Sequence, residues 1–448
     1  MKKIVDEFGN VFYVDKEIGR GGQGVVYITK DKEIVIKEAL KNGNIIEDEQ
    51  DINSFNKKIK NLTYKPIPFD IKIAKPLSTL KNKAGYTMKM LNGMESLKKL
   101  IPQELSKNEV EKITIPSFLE EFAKKSKRDA ILLSYFLKTG GFRKRLSILS
   151  NIAKVLYRLH LNGLVYFDIS HNNIFFRDED DEVYFIDIDN LKYNSSIKLN
   201  DAVMTPNFEV PEVANNKEPN SFYSDIYAFA ILAFYMLTMK HPFDGEGVNE
   251  ISDWDDDETK KNRWDLEWIY GSNKENEAIP ILPKELSLTD GLFELFKKTF
   301  EAKSKIDRVS LNIWIEELLK ANALTIKCSE CGSTFYDRFN KCPFCDALKP
   351  KRVAIYKDKK LVFIKELNQK IEVPNFIFKP ISLIDEEAFL LLKFVKERVE
   401  LIFDNIDNVK IKNRKIYRKR QKYGFFQIEK GLELNINNQS YLLKVENV

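Results

Sequence analysis

Apolar and polar positions alternate over residues 10–40, "NVFYVDKEIGRGGQGVVYITKDKEIVIKEAL", and predict three short strands joined by a Gly-rich turn and a Lys-Asp turn. Over 45–62 the period changes, with Ile46, Ile52, Phe55, Ile59 and Leu62 at helical spacing. Residues 71–91 return to strand, and 98–140 are polar with helical patches. "KRLSILSNIAKVLYRLHLN", 144–162, predicts an amphipathic helix, and the pattern from 220 to 322 is again helical. From 351 onward come short alternating runs such as "KLVFI", "FIFKPI", "VELIF" and "LELNI". They predict a β-rich domain, a sandwich or partial barrel, with a helix inside it over "EEAFLLLKFVKERVE". A small, mostly β part is thus followed by a larger, mostly α part and a β-rich tail, an α+β chain without internal repeats.

Length sharpens this division: 448 residues exceed what one compact core holds, so two or three domains are expected. Hydrophobic residues at 43% and charged residues at 31% describe a globular protein with a heavily charged surface. The formal charge of +5 is small for this length and makes nucleic acid an unlikely partner. The start, "MKKIVDEFGNVFYV", has no apolar core of signal-peptide length. The longest near-apolar run, 227–239, has 13 residues, too few to span a bilayer, and reads as a buried helix. The expectation is a cytoplasmic protein that does not engage a membrane.

The polar residues that interrupt the apolar pattern carry the chemistry. "IGRGGQGVVY", 18–27, places Gly19, Gly21, Gly22 and Gly24 between two strands. Glycines there let backbone N–H groups approach phosphate oxygens, although many hairpins carry glycines for their turns alone. Lys37 lies in the apolar frame "IVIKEAL". It either snorkels to the surface or meets nucleotide phosphates, with a helix carboxylate holding the ammonium. Glu49 is the chosen carboxylate, and Glu47 and Asp51 are close rivals. "LVYFDISHNNIFF", 164–176, sets Asp168, Ser170, His171, Asn172 and Asn173 between two apolar segments. Packing does not explain a carboxylate and an amide on so short a loop.

With these motifs in this order, residues 10–320 resemble the protein-kinase family. The Gly-rich turn and Lys37 match its nucleotide strands. "YTMKMLNGMESL", 86–97, resembles the hinge, with Met88 as gatekeeper and Lys89 to Leu91 offering backbone groups to adenine. By the resemblance Asp168 is the catalytic base, Asn173 a metal ligand, and Asp187 in "FIDIDNL" the D-F-G aspartate that holds magnesium. "TPNFEVPEV", 205–213, resembles the segment that closes the activation loop. Asp225 would brace the catalytic loop, and Arg308 would pair with Glu212. The resemblance implies a two-lobed fold, 1–91 being the N-lobe and hinge and 92–322 the C-lobe. It also implies transfer of the ATP γ-phosphate, with Mg, to Ser or Thr of a protein substrate.

The chain departs from the family pattern in places. Phe167 replaces the arginine of H-R-D, so control through an activation-loop phosphate loses its usual anchor. Ser170 stands where the family's Ser/Thr members carry a lysine for the γ-phosphate. Ile188 and Asp189 replace Phe and Gly of D-F-G. These departures resemble divergent bacterial kinases encoded with a metal-dependent phosphatase and a von Willebrand-type protein in stress and tellurite-resistance gene sets. Those proteins are the implied partners. Two alternatives stay open: a pseudokinase scaffold that binds ATP, and a small-molecule kinase. The T-P…P-E segment favours a protein substrate over the latter.

Cys328, Cys331, Cys342 and Cys345 form a C-x2-C-x10-C-x2-C pattern over 323–350. The spacing suits two knuckles around one tetrahedral Zn2+, a structural site with no open position, and resembles a zinc ribbon. Two disulfides or free thiols are the rivals. The β-rich domain then covers 351–448. Within it "KIKNRKIYRKRQKYGFF", 410–426, is either an anion-binding patch or, as favoured, the solvated face of a hairpin. The three histidines, His160, His171 and His241, do not cluster as a metal site, and His160 is expected to be structural.

Overall fold

The alternating N-terminal stretch folds as an antiparallel sheet in the computed structural model, which describes residues 2–202, 205–247, 266–379, 389–395, 398–404, 409–411, 414–415, 421–427 and 431–446. Its strands are β1 (Lys3–Val5), β2 (Val11–Gly21), β3 (Gly24–Thr29), β4 (Ile34–Lys41), β6 (Pro76–Thr79) and β7 (Gly85–Lys89), in the order β1-β2-β3-β4-β7-β6. The short β5 (Asn44–Ile45) pairs with β4. Ile4, Ile36 and Leu80 form a buried apolar cluster here, flanked by Phe12, Val14 and Ile34. Gly85 is required by close approach: a Cβ there would lie 2.3 Å from the Lys37 carbonyl oxygen on the paired strand.

The longer helices are α1 (Glu49–Thr63), α2 (Lys127–Lys138), α3 (Gly141–Leu161), α4 (Phe222–Thr238), α5 (Asp290–Phe300) and α6 (Leu311–Ala323). Asp48 caps α1 by accepting from the Asp51 amide at 2.9 Å, and Glu49 and Asp51 lie in the first turn, where the helix dipole favours acids. Ser126 caps α2 and Thr289 caps α5 in the same way. After Asp225 helix α4 is apolar on every side, and Phe229, Ile231, Leu232 and Phe234 are fully buried, as the 227–239 run predicts. Among the described residues no helix is long and apolar enough to cross a membrane.

The chain divides into two compact units, Met1–Lys98 with Val155–Leu232, and Lys99–Lys154 with Ala233–Val448. The first holds the glycine turn, Lys37, the hinge residues and the 164–176 stretch. There β8 (Met94–Ser96), β10 (Ile174–Arg177) and β11 (Val183–Phe185) form a small sheet, while β9 (Leu164–Val165) pairs with β12 (Lys192–Tyr193). Two loops result, 166–173 between β9 and β10 and 186–191 between β11 and β12. Glu212 belongs to the first unit and Arg308 to the second.

The second unit contains the cysteines and the β-rich tail. The hairpin of β13 (Thr325–Lys327) and β14 (Thr334–Tyr336) precedes two sheets. One comprises β15 (Arg352–Lys357), β16 (Lys360–Glu366), β20 (Val409–Ile411), β21 (Arg414–Lys415), β23 (Leu432–Ile436) and β24 (Gln439–Glu446). The other comprises β17 (Lys370–Pro374), β18 (Phe389–Val395), β19 (Arg398–Asp404) and β22 (Gln421–Gln427). Buried residues of both, among them Val353, Ile355, Val373, Leu390, Leu401 and Leu443, share one core, so the tail is a sandwich. The helix expected over "EEAFLLLKFVKERVE" is not formed. Its described residues lie on β18 and β19, where Leu390 and Leu392 alternate into the core and cross-strand pairing overrides helical propensity. Of the basic stretch, residues 412–413 and 416–420 lie outside the described residues.

Candidate active site and metal centre

The 166–173 loop is braced from α4. Asp225 accepts hydrogen bonds from the backbone amides of Tyr166 (2.8 Å) and Phe167 (3.0 Å), and His160 Nε2 lies 3.0 Å from the same carboxylate. His160 is therefore structural, as expected. Phe167 is buried and holds a left-handed φ of 80°, a costly conformation for an aromatic residue that the two amide bonds to Asp225 enforce. Asn173 Nδ2 donates to Asp168 Oδ2 at 2.7 Å and to the Asp168 carbonyl at 3.0 Å, so base candidate and metal-ligand candidate keep a fixed relation. The Thr205 hydroxyl donates to the other Asp168 oxygen.

The second loop presents Asp187 and Asp189 to the sheet. The Tyr166 ring packs at a tilt against Phe185, centroids 4.8 Å apart, and its hydroxyl donates to the Ile186 carbonyl, anchoring this loop to the first. Asp187 has a left-handed φ of 53°, a conformation aspartate tolerates. Lys37 Nζ lies 2.5 Å from Asp187 Oδ1 and 2.8 Å from Asp189 Oδ2. Burial alone would lower the Lys37 ammonium, but Asp189 and Asp187 together hold it above its ordinary range. Burial pushes the Asp187 carboxyl up, and Lys37 only partly opposes it. Lys37 faces the paired Tyr86 ring at 5.8 Å; burial and the same two carboxylates keep that phenol protonated.

The helix carboxylate expected for Lys37 does not take that place. Glu49 is an exposed residue at the start of α1 and serves its first turn, because the helix begins later than the apolar spacing suggested. Glu47 precedes the helix and is exposed, and Asp51 pairs with Lys41 at 2.6 Å. Asp189 supplies the missing carboxylate. Gly24 packs on the Lys37 stem, where a Cβ would come within 2.8 Å of Lys37 Cε. A Cβ at Gly21 or Gly22 would meet nothing within 4 Å, so that turn is open to a ligand; at Gly19 the nearest atom is Val26 Cβ at 4.0 Å. Met88 and Lys89 end β7, and Leu91 follows in the next turn, where its carbonyl accepts from Met94 N at 3.3 Å. Sequence reading passed over Tyr86 and the Thr205 contact; for Tyr86 the available signal was its place on the strand next to that of Lys37.

A family model described as protein kinase domain matches residues 12–301, nearly two thirds of the chain. The chain belongs to the protein kinase family. A kinase domain brings with it ATP and a divalent cation, and the donor set fits both. Asp187 and the Asn173 amide are hard oxygen ligands of the kind Mg2+ takes. Asp187 and Asp189 share one lysine, and Asp168 raises the Asp187 carboxyl further, a surplus of negative charge that a cation would relieve.

In the kinase's second unit the four cysteine sulfurs lie within 4.8 Å of one another. Cys328 and Cys345 sulfurs are 3.7 Å apart, and those of Cys331 and Cys342 3.6 Å. These are not disulfide distances, and the thiols are free. They match the edge of a tetrahedron with metal–sulfur bonds of about 2.3 Å, which is about 3.8 Å. Two matching turns shape the site: Gly332 N donates to the Cys328 carbonyl and Asp346 N to the Cys342 carbonyl, at left-handed φ of 71° and 57°. Hydrogen bonding from Cys342 pulls the Cys331 thiol down to about 4, which favours its thiolate form. Phe335, Tyr336 and Phe344 of the same segment are buried, and Phe142 stacks on Tyr336 at 5.8 Å.

Proposed function

We propose that this protein kinase is an Mg-dependent serine/threonine kinase. The contact that carries this reading is the Thr205 hydroxyl donating to Asp168, while Asn173 holds the same carboxylate. A hydroxyl already sits where an acceptor Ser or Thr would present its proton. In the reaction the acceptor oxygen forms a bond to the γ-phosphorus, the bond to the ADP oxygen breaks, and the acceptor proton passes to Asp168. Asn173 and Asp187 would hold the metal, which neutralises charge on the phosphates. Lys37 contacts the phosphates from the sheet, Gly19, Gly21, Gly22 and Gly24 admit them, and Met88, Lys89 and Leu91 border the adenine.

The cysteine cluster is a structural zinc ribbon, supported by its tetrahedral sulfur spacing. The catalytic-loop resemblance supports a cytoplasmic bacterial stress-signalling role with a metal-dependent phosphatase and a von Willebrand-type protein as partners. Ser170 favours a second reading, an ATP-binding scaffold: its hydroxyl is buried without a hydrogen-bond partner where a lysine would meet the γ-phosphate. The deciding experiment is intact mass after incubation with Mg-ATP and a protein acceptor. Wild type gains phosphate on Ser or Thr, and Asp168→Asn does not. Binding without transfer to any acceptor would establish the scaffold instead. Elemental analysis should find one zinc per chain, lost in Cys342→Ser.

A further inference from the structure

We propose that Asp189 is the standing partner of Lys37, so that the lysine is positioned by the metal-binding segment itself and not by a carboxylate on α1. The inference rests on the kinase reading above and concerns how that site is assembled and regulated.

Helix α1 offers no acid to Lys37, since Glu49 is exposed in its first turn. After Asp51 it carries none through Thr63, and Asp51 is committed to Lys41 at 2.6 Å. Where α1 meets the 186–191 loop it presents a cation: Lys58 Nζ donates to Asn190 Oδ1 at 3.2 Å and is attracted by Asp189. The helix therefore contributes positive charge and the loop the carboxylate. Asp189 is suited to a permanent role. Its side chain is 5% exposed against 22% for Asp187, and it lies between Lys37 and the Lys58 side, with the buried Tyr86 phenol beside it.

The two carboxylates on Lys37 cannot both stay there once a metal arrives. A divalent ion draws Asp187, and a buried lysine left without an anion is costly. Asp189 removes that conflict: Asp187 serves the metal while Lys37 stays paired and aimed. Without Asp189 the lysine would fall back on Asp187 and compete with the metal. It follows that no carboxylate of α1 has to swing in for the lysine to be held; the helix acts on this site only through the loop that Lys58 touches.

A double-mutant cycle tests the role, with binding of Mg2+ and a non-hydrolysable ATP analogue to the full chain measured by calorimetry. Asp189→Asn should weaken binding about tenfold in the wild-type background and less than about twofold in a Lys37→Met background, because Asp189 acts through the lysine. Asp189→Glu should recover part of the loss. Glu49→Gln and Asp51→Asn should each change binding by less than about twofold. Equal losses in both backgrounds would make Asp189 a metal ligand or a purely structural residue and overturn the proposal. So would a loss at Glu49→Gln or Asp51→Asn as large as that at Asp189→Asn. Should Asp189→Asn fail to fold, Asp189→Glu carries the same cycle. Wild type binding no Mg-nucleotide at all would instead sink the kinase reading, a separate outcome.

Discussion

Lys37 and Glu38 are neighbours on β4 and point to opposite faces of one sheet. Each is a buried charge held by two opposite charges, yet the two clusters differ in kind. Glu38 is fully buried between Lys2 and Lys83, the latter at 2.6 Å, and both lysines come from the same sheet region. Those lysines are about a third exposed, so their spare charge stays hydrated. Burial opposes ionisation of Glu38, but the two lysines hold its carboxyl below the usual range. Lys37 is held by residues 150 and 152 positions further along, and there two carboxylates, Asp189 buried and Asp187 half-buried, meet one lysine. One cluster is closed and gains nothing from a ligand; the other is short of positive charge, which a metal ion supplies. The contrast teaches that burial and pairing alone do not mark a functional site, whereas an uncompensated sign does.

The largest expected effect breaks the open cluster. Lys37→Met and Asp187→Asn should each lower phosphoryl transfer by about a thousandfold or more, since catalysis here depends on positioning and charge stabilisation. Single-turnover transfer read by intact mass checks this, with melting curves confirming that the variants fold. Breaking the closed cluster should do the reverse. Glu38→Gln should cost about 2 kcal/mol of stability by leaving a buried amide poorly matched to two ammonium groups. Transfer per folded molecule should stay within about twofold. Urea unfolding measures the first and active-site titration the second. If Glu38→Gln abolished transfer in a folded protein, the two faces would not be separable.

The sequence made one face legible and hid the other. Glycines, a strand lysine and the Asp168 and Asn173 loop have fixed spacings, so the catalytic set could be read from local pattern. The four cysteines were legible for the same reason, since two knuckles lie within 18 residues. Glu38 gave no signal, because its partners come from residues 2 and 83 and no motif links them. Glu49 misled because helical periodicity overran the helix start, and the acids at 48, 49 and 51 serve capping and the dipole. Asp189 was visible as a departure from D-F-G, but its partner depends on how a loop folds over a sheet. The tail was read correctly as β-rich; its one supposed helix failed because the pairing partners that decide between helix and strand lie elsewhere in the chain.

A smaller effect is expected from protons. Glu38 has a folded value below its unfolded one, so its stabilisation is complete above the ordinary carboxylate range and fades as pH falls through the folded value. Asp187 has the opposite sign: its folded value is raised, so ionisation costs stability at neutral pH and the cost disappears on acidification. Without metal or nucleotide, Asp187→Asn should therefore raise the melting temperature at pH 7, and Glu38→Gln should lower it. Both differences from wild type should shrink as pH drops below about 4. Saturating Mg-ATP should reverse the order for Asp187→Asn, because only wild type gains from the ligand. A lower melting temperature for Asp187→Asn in the absence of ligand would show that its pairing with Lys37 outweighs burial and that the cluster is closed after all.

The smallest effect concerns Lys41, another paired charge on β4. Lys41 meets Asp51 of α1 at 2.6 Å, but the side chains are 60% and 37% exposed. Water competes for both groups, and holding two mobile side chains together opposes the modest attraction. Asp51→Asn should leave stability almost unchanged, and adding salt should erase any difference. Its effect on transfer should stay below about twofold, although Asp51 is an acid of α1 paired with a lysine of the nucleotide-binding sheet. Chemical denaturation at low and high salt, with transfer rates in parallel, measures both. A large, salt-resistant loss of transfer would mean that α1 controls the sheet through this pair, and the distinction between exposed and buried charge on β4 would have to be redrawn.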